Sequence, residues 1–131
     1  MEYDQRIFDG SAADGMSWNY GDFSTTPGCG GGEGGIAAGT NVLSFRCTTY
    51  SGAGGPVNRI YYNGVQVGAN NTTLMRSAAY KHITISVNAA SQITVNVDGT
   101  DLWTNLQLPA GYISANKTGW NMAWTARTGG A

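Results

Sequence analysis

The chain has 131 residues, a length that holds one domain with a real hydrophobic core. Only 11% of the residues are charged and the net charge is −1, so the scattered Lys and Arg side chains make no basic surface of the kind a nucleic-acid partner needs. An apolar content of 41% with 11% aromatics excludes a disordered chain, and no apolar run reaches the length of about 18 residues that membrane insertion requires.

Period-two alternation runs through nearly the whole chain, with turn residues at regular intervals. An apolar strand opens after Asp14-Gly15, at Met16-Ser17-Trp18. The stretch Ser24 to Gly35 is rich in glycine, contains Pro27 and reads as a loop. Val57 to Tyr62, Asn63-Gly64 and Val65 to Val67 form a tight hairpin, because Asn-Gly supplies the positive φ angles of a type I′ turn. Ile83, Ile85 and Val87 alternate with polar residues. After Ala89-Ala90-Ser91 a partner strand carries Ile93, Val95 and Val97. Asp98-Gly99 then turns the chain into a strand over Thr100 to Leu106, and Trp120 to Ala126 gives the last one. No segment offers helical periodicity with caps. Antiparallel strands with one dry and one hydroxyl-lined face make an all-β sandwich or barrel. The expected core is Ile83, Ile85, Val87, Ile93, Val95, Val97, Trp120 and Trp124.

Several residues carry candidate chemistry. Cys29 and Cys47 are compatible with one disulfide or with two free thiols, and the single histidine cannot complete a zinc site with them. His82 reads as a surface-strand residue, and Asp98 and Asp101 as solvated residues flanking a turn. Glu2 and Glu33 are the only glutamates, and no carboxylate pair has the spacing a glycosidase uses, so the chain is not expected to be an enzyme. If the Asp98-Gly99 turn has even length, Trp103 lies on the polar face with Thr94 and Asn96, where its ring could stack on a sugar. A bulge would return it to the core.

Two segments, Ala12-Ala13-Asp14-Gly15-Met16-Ser17-Trp18 and Gly119-Trp120-Asn121-Met122-Ala123-Trp124-Thr125-Ala126-Arg127-Thr128-Gly129-Gly130, together with Leu106-Gln107-Leu108-Pro109-Ala110-Gly111-Tyr112 between them, resemble the concanavalin-like lectins, in particular secreted bacterial L-type and laminin-G-like domains. The resemblance covers about Phe8 to Gly130. It implies a two-layer antiparallel jelly-roll sandwich in a single domain, a secreted or cell-surface location, and noncatalytic carbohydrate binding. Asp14 with Gly15 would then bond sugar hydroxyls, beside the loop residues Glu33, Gly34 and Gly35, with Trp103 as a stacking surface. On the residues alone, Asp14 equally suits a turn aspartate and the glycine loop a plain linker. The strand Phe45-Arg46-Cys47-Thr48-Thr49-Tyr50 departs from the lectin pattern, because Arg46 and Thr48 stand where that family's metal-binding acids should be. A paired metal site is therefore not expected, which leaves at most a single Ca²⁺ held by Asp14 or Glu33 with backbone carbonyls. The resembling domains carry a further strand at each end, so exposed sheet edges and a homo-oligomer joined through them form the alternative, structural reading.

Overall fold

A computed structural model describes residues 1–8, 15–23, 40–50 and 54–127. Among these residues, nine strands form two antiparallel sheets: β1 (Glu2–Gln5), β2 (Gly15–Asp22), β3 (Thr40–Thr48), β4 (Val57–Tyr62), β5 (Val65–Asn71), β6 (Lys81–Val87), β7 (Gln92–Val97), β8 (Thr100–Gln107) and β9 (Asn121–Arg127). One sheet has the order β1-β6-β7-β8 and the other β5-β4-β3-β2-β9. The expected all-β, two-layer sandwich is what the chain forms.

Turn chemistry fixes the register as the sequence predicts. Asn63 and Gly64 take φ of 50° and 76° between β4 and β5, and Asp98 and Gly99 take 51° and 83° between β7 and β8. Both are the paired positive angles that a two-residue hairpin loop needs. Between β6 and β7, Ser91 takes φ of 57°, and Asn88 exchanges backbone bonds with Gln92 and Ser91 to close the longer turn.

The core lies between the sheets. Ile83, Ile85, Ile93, Val95 and Val97 pack from one side, against Trp18, Leu43, Phe45 and Ile60 from the other. Burying such side chains stabilises by roughly 1.5–3 kcal/mol each. Three expected core residues depart from this. Val87 and Trp120 are half-buried at its margin. Trp124 is 47% exposed, although it sits opposite the buried Trp18, because β9 is an edge strand and the facing edge strand meets its ring edge-on through Tyr3. One element escapes the sequence reading altogether, a five-residue helix α1 (Ala110–Ser114) that buries Tyr112. It is too short to display a 3.6-residue period. The Lys117 ammonium caps its end by donating to the Tyr112 and Ala115 carbonyls at 2.7 and 3.2 Å.

Candidate functional site

The inner face of the five-stranded sheet is spent on the core, so its outer face is where side chains are left for other work. Register places Thr125, Ser17, Arg46 and Arg59 side by side across β9, β2, β3 and β4. The next row is Ala123, Asn19, Ser44, Tyr61 and Gln66, reaching β5. Polar groups dominate both rows.

The β9–β3 part of this face is a closed network. Asn19 is fully buried; its amide donates to Ser17 Oγ at 3.0 Å and its carbonyl accepts from Ser44 Oγ at 2.7 Å. Ser17 and Thr125 share a hydroxyl bond of 2.6 Å. A buried polar cluster persists when its members satisfy one another, and it then holds strands in a single register. The β3–β4 part is different. Arg46, Arg59 and Tyr61 are half-exposed, and the Arg46 guanidinium carbon lies 4.0 Å from the Tyr61 ring centroid, a cation–π contact that fixes the side chain. Burial lowers the Arg46 pKa; the Tyr61 hydroxyl opposes that shift and the Arg59 charge adds to it. The Arg46 Nε is sealed from water and has no hydrogen-bond partner among the described residues.

A second feature is a cavity of about 370 Å³ beside the β4–β5 turn, lined by Tyr62, Asn63, Val65, Gln66, Val67, Gln107 and Pro109. Three amide side chains stand at its apolar wall. All three brace the local fold, with Asn63 Oδ1 accepting from the Val42 amide, Gln66 donating to the Gly68 carbonyl and Gln107 donating to the Ala90, Ser91 and Leu108 carbonyls.

Of the residues predicted for sugar binding, Asp14, Glu33, Gly34 and Gly35 lie outside the described residues, as does Cys29. Gly15 opens β2 opposite Thr48. A Cβ built there would stand 1.8 Å from the Cys47 carbonyl oxygen, so close approach of β3 by itself accounts for a glycine. Cys47 is a free thiol, 1% exposed, whose sulfur accepts from Gln5 Nε2 at 3.6 Å.

Trp103 does not stand on the polar face. Register shifts on β8 between Ile93 and Val95 and between Val95 and Asn96 insert extra residues, so Leu102 and Trp103 both turn inward. The Trp103 ring meets Phe45 edge-on at 6.1 Å and its Nε1 donates to the Ala69 carbonyl at 3.1 Å. A bulge offers that freedom and strict alternation hides it. His82 is exposed, as expected, and its Nδ1 lies 2.8 Å from Asp4 Oδ1. Asp98 and Asp101 serve the β7–β8 turn: Asp98 accepts from the Lys81 ammonium and the His82 amide, Asp101 from Asn96 and Thr104. Among the described residues no group of three or more His, Cys, Asp or Glu could hold a metal ion.

Sequence reasoning singles out Arg46 only as a missing acid, and it passes over Arg59 and Tyr61. Their signal is the alternation Arg59-Ile60-Tyr61-Tyr62, which sets Arg59 and Tyr61 opposite the buried Ile60. Their alignment with Arg46 requires the pairing of β3 with β4. No family model, no curated protein and no solved structure matches the chain.

Proposed function

We propose that the chain is a noncatalytic carbohydrate-binding domain of the concanavalin-like kind, working outside the cell or on its surface. The observation that carries this reading is the outer face of the five-stranded sheet. Its half-exposed β3–β4 part presents the guanidinium groups of Arg46 and Arg59 and the phenol of Tyr61, groups that bond sugar hydroxyls, on strands that a closed hydroxyl and amide network holds in register. Asp14, one residue before β2 in sequence, would add the charged acceptor, and the resemblance adds Glu33, Gly34 and Gly35. The engagement of Asp98 and Asp101 in turn bonding supports a binding role over a hydrolytic one. A glycan array probed with and without chelator tests the reading. Retention of a defined glycan set, unaffected by chelator and lost in a folded Asp14→Ala protein, is the expected result. No glycan above background would end it.

A second reading, self-assembly through sheet edges, is favoured by a separate observation. β1 and β9 are both edge strands, and beside them Met122 and Trp124 are 48% and 47% exposed. Sedimentation across a hundredfold range of concentration is expected, on this reading, to show association that Trp124→Lys removes. A monomer throughout would discard it.

A further inference from the structure

Arg46 and Arg59 face one another directly across the β3–β4 pair. Like charges in opposed positions of an antiparallel pair repel and destabilise it. Both are half-buried, so water screens the repulsion less than on an open surface. The ion pairs among the described residues are Lys81–Asp98 and His82–Asp4, and neither reaches this face. Ser17, on the other side of Arg46, is occupied by Thr125 and Asn19. The row Thr125, Ser17, Arg46, Arg59 therefore carries two positive charges and no carboxylate. Tyr61 keeps the Arg46 guanidinium in place. The whole chain has a net charge of −1, so this is a local concentration of cations and not part of a general basic coat.

We infer that Arg46 and Arg59 form an oxyanion site, and that it makes the domain selective for polysaccharides bearing acidic groups. This rests on the carbohydrate reading above and names the class of sugar. A guanidinium offers parallel N–H donors that match a carboxylate or sulfate ester, and one oxyanion between the two arginines cancels their repulsion on binding. A neutral chain cannot supply that gain. The residue that stands where a metal-binding acid is expected thus gives the face the opposite preference, for an anion.

The test compares polygalacturonate with its fully methyl-esterified, neutral form, and dextran sulfate with dextran, by calorimetry on the intact protein. The acidic chain of at least one pair should bind about tenfold or more tightly than its neutral counterpart, the gain expected of one well-placed charge-assisted pair. The pair that shows it identifies the oxyanion. Arg59→Gln and Arg46→Gln, each checked for fold by its NMR fingerprint, should bring that ratio close to one. Equal affinities in the wild type, or a preference that survives in both folded variants, overturns the proposal. If no chain binds at all, the carbohydrate reading fails, and the arginine Nε–H signals then report on the site itself. Their shift on titration with galacturonate or sulfate, absent with galactose, upholds the oxyanion site; signals that stay still overturn it.

Discussion

The two flanks of the sandwich are built on different principles. On one, β5 and β8 are irregular: β8 carries two register shifts and Asn105 at φ 53°, and β5 has a register shift and Gly68 at φ 78°. The sheets are tied across that flank by Trp103 Nε1 donating to Ala69 O and by Asn71 Nδ2 donating to Leu102 O. On the other flank, β1 and β9 run in unbroken register with their neighbours, and Tyr3 meets Trp124 edge-on at 5.8 Å. Bulges blunt an edge because a twisted, interrupted ladder offers no template to an incoming strand. A regular edge offers one. The bulged flank is closed by its own side chains, whereas the regular flank keeps backbone groups and two large apolar side chains at the surface.

That contrast can be broken by mutation. Trp103→Ala removes a ring that packs on Phe45 and a bond that joins the sheets, so it should cost about 3 kcal/mol in denaturant unfolding. Gly68→Ala meets the Leu106 side chain at 2.9 Å and a backbone at φ 78°, and about 1–2 kcal/mol is expected from the combined strain. Trp124→Ala, on the regular flank, should cost no more than about 1 kcal/mol, because half of the ring is already in water. If Trp124→Ala proves more damaging than Trp103→Ala, the assignment of closed and open flanks is reversed.

A smaller effect concerns how β1 is held. The hydrogen bond to Asp4 raises the His82 pKa, burial opposes that rise, and the charges of Asp4, Glu2 and Asp98 add to it. A histidine whose folded pKa lies above its unfolded value stabilises fully below the ordinary value of about 6.5 and loses that contribution as pH rises through the folded pKa. A slight drop in melting temperature over that window, absent in Asp4→Asn, is the expected outcome. The pair is exposed and salt should diminish the effect.

The hairpins were legible because their cause is local: Asn63-Gly64 and Asp98-Gly99 demand positive φ, and the alternation on either side sets the register. The buried set from Ile83 to Val97 followed from the same alternation. What the sequence hides is whatever depends on partners far along the chain. Trp124 has the pattern of a core residue and lies at an edge, since sheet order decides which strands are covered. Trp103 was displaced by bulges that no turn residue announces. Arg46 and Arg59 are 13 residues apart and become neighbours only through strand pairing. Of the candidate site, the sequence marks Asp14 and the glycine loop, while the cationic pair needs the sheet.

Cys47 gives the molecule an internal clock. Burial pushes its thiol pKa up to about 12, with the Gln5 bond pulling the other way, so the folded thiol is protonated and, at 1% exposure, out of reach of an alkylating reagent. Cys47 lies on β3, in the middle of the five-stranded sheet between β2 and β4. Its sulfur faces β1, whose Gln5 bonds it, so the thiol is uncovered only when β1 leaves or the sheets part. In a Cys29→Ser background the rate of alkylation should therefore time the departure of β1, and Gln5→Ala, which removes the bond to the sulfur, should quicken it.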